Sequence, residues 1–371
     1  MTTDSAPTSE SSTREHTALA YPLGMLQGEG TPLRLADGVY VVRMPLHIGI
    51  AYINVYLLED TDGWYIVDTG LPNDATRRHW QSLANEWFAG TVVKGIVCTH
   101  YHYDHAGLAG FLSDLFSAPV YMTFGEYYLL RSAAVESTTE RVTAQMAFFS
   151  AHGTPQDEQD KMAQANLNDP YTQFVPTHFS RLQHGDVWHI GSRQWRIVIG
   201  SGHSPEHACL FSDDECPILI SGDQMLPEIS SNIFVQDTEP NANPLLAWGE
   251  SLTMLHQLPT DTLVCPAHGH PFEGIQLRVQ HLRAHHRKTL QRICEKASKV
   301  TRFTAYEAMR WLFPKIHRPV DLMLALSETI AHINYLICTG ELVRYPATEA
   351  QSERHYITFR ADFLGENHEH F

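Results

Sequence analysis

A chain of 371 residues with 43% apolar content is long enough for one large domain or two of ordinary size. Its formal net charge of −16 favours solubility and argues against a broad polyanion-binding surface, while leaving room for a local basic patch. No apolar run reads as long enough to cross a bilayer, and the six cysteines, none in a CxxC pair, read as buried free thiols rather than a disulfide framework.

The opening stretch MTTDSAPTSESSTREHT is polar and Ser/Thr-rich. It lacks the basic-then-apolar order of a secretory signal, and Asp4, Glu10 and Glu15 argue against a transit peptide. Residues 1–34 are therefore expected to form a disordered tail on a soluble, cytoplasmic protein. From GVYVVRMP to VCPAHG, short β-branched runs alternate with helical stretches. INVYLLED, GWYIVDTG, VKGIVCTH and APVYMT read as strands, with DATRRHWQSLANEWF and HAGLAGFLSDLF as helices between them. QWRIVIGSGH, CPILISGD and DTLVCPAHG then read as apolar strands, each ending in a polar cluster, which is where α/β folds place chemistry. These elements define a first domain over 35–271, in which the strand ends would carry any chemistry.

Inside that domain, from about 125 to 182, the strand rhythm stops and an aromatic-rich helical segment intervenes, serving as a lid or as a packing insertion. After about 272 the composition shifts again. EGIQLRVQHLRAHHRKTLQRICEKA reads as one long basic helix, TAYEAMRWLFP and PVDLMLALSETIAHINYLICTG as two more, and ELVRYP with HYITFRA as paired strands. That order predicts a winged-helix-like domain over 272–371.

Histidine is the unusual residue, at 23 copies. THYHYDH places His100, His102, Asp104 and His105 at the end of a strand, where residues two apart on extended backbone share a face. Imidazoles with one carboxylate suit zinc, iron or manganese better than calcium or magnesium. Later strand ends supply His203, Asp223 and His268. His207 is spaced like a further ligand, His270 is placed at the rim, and His285 and His286 on the basic helix are expected at the surface. The terminal NHEHF is expected to fray.

VDTG, THYHYDH, GHSPEH, SGDQ and PAHG, in this order, resemble the metallo-β-lactamase superfamily, particularly its glyoxalase-II-like hydrolases, over about two thirds of the chain. The resemblance implies an α/β fold, an αββα sandwich with a two-metal site at one edge. One ion would be held by His100, His102 and His203, the other by Asp104, His105 and His268, with Asp223 bridging. Asp68 would orient ligands without binding metal, and His207 would support the site from outside it. The ions are expected to be zinc, with manganese or iron as alternatives.

The implied activity is hydrolysis of an ester, lactone or thioester of a small-molecule acyl substrate by a metal-bridging hydroxide, with Asp104 as the catalytic residue that orients it. No GxSxG motif points to a serine nucleophile. Two departures qualify the resemblance. Tyr103 stands where a proline or small residue is usual, and the basic and aromatic residues that recognise glutathione have no counterpart. The C-terminal extension points instead to a long branch of the superfamily, one member of which cuts RNA. The alternatives are thus a metal-dependent ribonuclease gripping phosphate through the basic helix, or a mononuclear iron dioxygenase. Self-association into a homo-oligomer stays open.

Overall fold

The computed structural model describes residues 18–46, 49–135, 138–166, 175–344 and 356–359. A seven-stranded sheet runs in chain order: β1 (Leu33–Ala36), β2 (Val39–Pro45), β3 (Tyr52–Asp60), β4 (Gly63–Val67), β5 (Val93–Val97), β6 (Val120–Met122) and β7 (Ser180–Arg181). The first four strands form an antiparallel meander, and β4 to β7 pair in parallel. Parallel pairing needs crossovers. They are supplied by α1 (Asp74–Glu86) before β5, and by α2 (Tyr103–Ala106) with α3 (Ala109–Phe116) before β6. The second sheet comprises β8 (Val187–Ile190), β9 (Arg193–Gly200), β10 (His207–Ser212), β11 (Ile218–Gly222) and β12 (Leu263–Pro266), with α7 (Pro244–Leu255) between β11 and β12.

Strict alternation along the strands builds four layers. Val39 and Val41, Tyr56 and Leu58, and Val97 point between the sheets to meet Trp195, Ile197, Ala208, Leu210, Ile218 and Ile220. The intervening residues of the first sheet, such as Val42, Val55, Ile66 and Ile96, pack on Trp80 and Leu83 of α1 and Leu112 of α3. Those of the second sheet, such as Val198, Cys209, Leu219 and Val264, pack on Trp248, Leu252 and Val279. The expected αββα sandwich is the observed fold.

β10 has no counterpart among the expected strands because all six of its residues are buried, so it shows no polar–apolar period. The tail expected over 1–34 is corrected for residues 18–34. Ala20 and Glu273 exchange backbone hydrogen bonds of 3.1 and 2.9 Å, and buried Leu26 donates its amide to His270 Nδ1 at 2.9 Å. The first 17 residues lie outside the described residues.

The insertion forms α4 (Phe124–Val135), α5 (Thr138–Ala151) and α6 (Gln156–Asn166), while NDPYTQF falls outside the described residues. Phe148, Phe149 and Met162 join the same core as the C-terminal helices, Tyr306 donates its amide to His152 O at 3.1 Å, and Arg310 pairs with Glu158 at 3.3 Å. The Met/Phe stripe of α5 and α6 therefore serves packing.

The C-terminal segment forms α8 (Ile275–Ala297), α9 (Ala305–Leu312) and α10 (Pro319–Thr339), followed by β13 (Leu342–Arg344) paired antiparallel with β14 (Ile357–Phe359). Residues 345–355 and 360–371, with NHEHF, lie outside the described residues. A capping box joins Thr304 and Glu307 at the start of α9, and Gly340 closes α10 at φ 93°. By length and composition alone α10 could cross a membrane, which corrects the reading of no such run. Most of it is buried within the protein, with Leu322, Leu326 and Leu336 fully enclosed. The thiols also divide differently from expectation: Cys98, Cys209 and Cys265 are buried, Cys294 is half-buried, and Cys216 and Cys338 are exposed.

Candidate metal centre

β5 runs through the core and ends at the loop Cys98–His102, so Thr99 and His100 arrive at the sheet edge on a rigid element. His102 stands at the N-cap of α2, whose single turn carries Asp104 and His105. The turn after β9 brings His203, the end of β11 brings Asp223, and the end of β12 brings His268. All seven expected ligands converge. His100, His102, His203 and Asp223 form one group and Asp104, His105 and His268 a second, with the ligand atoms of each group within 4.8 Å of one another.

The first group is a nitrogen triangle: His100 Nε2 lies 2.8 Å from His102 Nδ1 and 3.2 Å from His203 Nε2. Two bonds of zinc–imidazole length at a tetrahedral centre subtend about 3.3 Å, so the triangle has the spacing of a ligand shell. In the second, His268 Nε2 lies 3.4 Å from Asp104 Oδ2, and His105 Nε2 lies 3.7 Å from the same oxygen. Asp223 joins the two: Oδ2 is 3.3 Å from His203 Nε2 and 3.6 Å from His105 Nε2, and Oδ1 is 3.4 Å from His268 Nε2. Among the described residues, His105 Nε2 and Asp223 Oδ1 are buried without a hydrogen-bond partner. Buried orphans of this kind call for an explanation, and divalent cations between the groups supply it.

The far nitrogens of three ligands are fixed by protein groups, which sets the tautomer that aims a lone pair inwards. His203 Nδ1 donates to Asn232 O at 2.8 Å, His268 Nδ1 to Tyr52 O at 3.2 Å, and His105 Nδ1 to Asp68 Oδ2 at 2.7 Å. Asp68, at φ 65°, also accepts from Thr99 N at 2.8 Å and Thr99 Oγ1 at 2.9 Å, and stays outside both groups. His207 is outside them too. Its buried ring lies against His100 with centroids 4.7 Å apart, and its Nε2 accepts from the amide of Asp223 at 3.1 Å.

Burial, with the neighbouring imidazoles, holds His100 well below the ordinary histidine pKa and His102 at about 3, so these two rings are neutral. Burial works against a charge on His105 too, but Asp68, Asp104 and Asp223 outweigh it and raise that histidine well above its usual value. His268 is raised in the same way by Asp223 and Asp104. The second group is thus a site where carboxylates demand positive charge, which a divalent cation would supply in exchange for those protons.

Several supporting residues gave no signal in the sequence. Glu126, at the start of α4, is fully buried and accepts from Tyr101 N at 3.0 Å and Glu206 N at 2.8 Å, tying together the loops that carry His100 and His203. Asn54 donates to Pro266 O and Gly269 O, both at 2.9 Å, fixing the loop of His268. Arg278 of α8 donates to Leu226 O at 2.5 Å and Ile229 O at 2.7 Å, fixing the chain that follows Asp223. Beside His268 opens a cleft lined by Arg43, Ile50, Tyr52, Glu228 and Ile229, with His270 also on its wall as expected. Tyr103 is half-buried at the first position of α2. His286, expected at the surface, is fully buried, whereas His285 is exposed.

The profile of the metallo-beta-lactamase superfamily matches residues 48–268, and that of the metallo-beta-lactamase-like C-terminal domain matches 290–354. A beta-lactamase domain protein from Burkholderia ambifaria has a similar crystal structure, with TM-score 0.80 and 35% identity over 92% of this chain and 97% of that one. A metallo-beta-lactamase family protein from Thermus thermophilus superposes with TM-score 0.71 and 26% identity, over 88% of this chain and 100% of the other. The probable metallo-hydrolase YqjP of Bacillus subtilis is 25% identical over 83% of this chain and 95% of its own length. The chain belongs to the metallo-beta-lactamase superfamily.

Proposed function

We propose that the protein is a dinuclear-metal-dependent hydrolase of a small ester, lactone or thioester. The observation that carries this reading is the pair of ligand groups joined by Asp223. His100, His102 and His203 would hold one ion and Asp104, His105 and His268 the other, zinc fitting best and manganese or iron being accepted by the same donors. When bound, such a pair lowers the pKa of a shared water and polarises a substrate carbonyl.

The chain's own residues provide the rest. Asp104 Oδ2 lies 3.4 Å from His268 Nε2 and 3.7 Å from His105 Nε2 and can hold the proton of the attacking water, which orients its lone pair towards the substrate. Ile50, Tyr52 and Ile229 give the adjacent cleft an apolar wall for an acyl chain. A hydroxyacylglutathione hydrolase from Marinomonas, 24% identical over 58% of this chain and 60% of its own length, supports acyl-thioester chemistry by analogy. The helices α8 to α10 with β13 and β14 make a winged-helix-like module in this reading. Two arginines of its basic helix are engaged within the protein, Arg283 donating to Thr253 Oγ1 at 2.6 Å and Arg292 to Trp311 O at 2.8 Å.

The test pairs elemental analysis with a panel of esters, lactones, acyl thioesters and phosphodiesters. Two metal equivalents at this centre and acyl hydrolysis, lost in His100→Ala and Asp104→Ala, are expected. Cleavage of single-stranded RNA without acyl turnover would establish the nuclease instead. Oxygen uptake with one iron per chain would establish the dioxygenase.

A further inference from the structure

We propose that His285 and His286 of α8 and Glu328 of α10 form a third divalent-cation site, separate from the two groups above, that takes a transition-series ion such as zinc. Their ligand atoms lie within 4.8 Å of one another. Two imidazoles and one carboxylate are a donor set of zinc, iron and their neighbours, and three protein ligands leave a position for water.

The tautomers at this place follow from the hydrogen bonds. His332, one turn after Glu328, donates from Nδ1 to the carbonyl of Glu328 at 2.8 Å. As a neutral ring it therefore carries its lone pair on Nε2, which lies 3.1 Å from His286 Nδ1. His286 must then donate from Nδ1 and carry its own lone pair on Nε2. Burial keeps both rings neutral, holding His332 at about 4 and His286 well below the ordinary value. A buried histidine whose far nitrogen is fixed by a partner is the arrangement that prepares an imidazole for metal. Burial also pushes the Glu328 carboxyl up to about 7, a penalty that a bound cation relieves. His285 is exposed and gives the ion its entry path.

The site is well placed to brace the dinuclear centre. Ser230 Oγ lies 3.5 Å from His286 Nε2. The next two residues are Ser231, whose hydroxyl donates to Asp223 O, and Asn232, whose carbonyl holds His203. An ion on His286 Nε2 would take the lone pair that faces Ser230 and so sit against the base of this loop.

The experiment counts zinc per chain in the full-length protein after chelator stripping and dialysis against zinc, with folding checked by circular dichroism. Three equivalents are expected for the wild type, two for His285→Ala and for Glu328→Gln, and one for the double variant His100→Ala, His268→Ala. His285 is exposed, so its truncation leaves the core intact. Saturation of the wild type at two equivalents, or three equivalents retained by both His285→Ala and Glu328→Gln, would overturn the proposal.

Discussion

Asp68→Asn isolates the role of a residue that holds His105 without belonging to either group. The carboxylate accepts at both oxygens: Oδ1 from Thr99 N at 2.8 Å, and Oδ2 from Thr99 Oγ1 at 2.9 Å and His105 Nδ1 at 2.7 Å. An amide of the same shape has one acceptor oxygen and tolerates the left-handed backbone at φ 65°, so the main chain need not move. Whichever way the amide is turned, its NH2 faces a donor. If it faces Thr99 N, a buried amide is left unpaired. If it faces His105, the ring must take its proton on Nε2, the atom that points at Asp104 and Asp223. Changes to such supporting partners lower metal affinity by about 10- to 100-fold, or about 1.4–2.7 kcal/mol. Competition against a chromophoric chelator should show one of two main-centre equivalents weakened by this factor, the His100, His102 and His203 group being spared. Equal affinity at both equivalents in wild type and variant would refute the assigned tautomer. Equal weakening of both would refute the division into two groups.

Gly222→Ala puts a Cβ 2.6 Å from the His207 ring on a residue at φ 49°, so it should lower the thermal midpoint and disturb the Asp223 amide that His207 accepts. His207→Ala should destabilise by about 1–3 kcal/mol through that unpaired amide alone, read from denaturant melts of metal-free protein. Because carboxylates raise the pKa of His105 and His268, protons compete with metal there. Affinity at this group should therefore climb as pH rises above about 6.5, with proton release measurable by calorimetry in buffers of different ionisation enthalpy. Arg278→Met leaves the Leu226 and Ile229 carbonyls without their charged donor, a loss of about 1.5–3 kcal/mol per bond. It should reduce turnover with little dependence on salt.

The seven clustered residues were legible in the sequence because each follows a strand whose apolar run marks its end, and because THYHYDH concentrates four of them. The sandwich was legible for the same reason. What escaped is what lacks a local signature. β10 is buried on both faces, and Ala20 and Leu26 are held by partners more than 200 positions away, Glu273 and His270. Glu126 reads as an ordinary acidic residue on a helix, yet burial and two backbone amides make it a tie between two ligand loops. His286 sits in a basic run whose charges suggest solvent, but the period of α8 turns it inwards beside Val279, Leu282 and Leu290.

These hidden residues share a logic. The dinuclear groups stand on loops, and loops hold a geometry only if their backbone groups are bonded elsewhere. The insertion supplies Glu126 for the loops of His100 and His203, the meander supplies Asn54 and Tyr52 for that of His268, and α8 supplies Arg278 for the chain beyond Asp223. Each brace comes from a part of the chain that contributes no ligand to those groups. The C-terminal helices are thus part of what positions the centre: α8 packs its buried face against α7, α9 and α10 while its Arg278 fixes the loop that follows Asp223. The same arginine also reaches the cleft beside His268, since it holds the Glu228–Ile229 turn that faces Tyr52 and Ile50 across it.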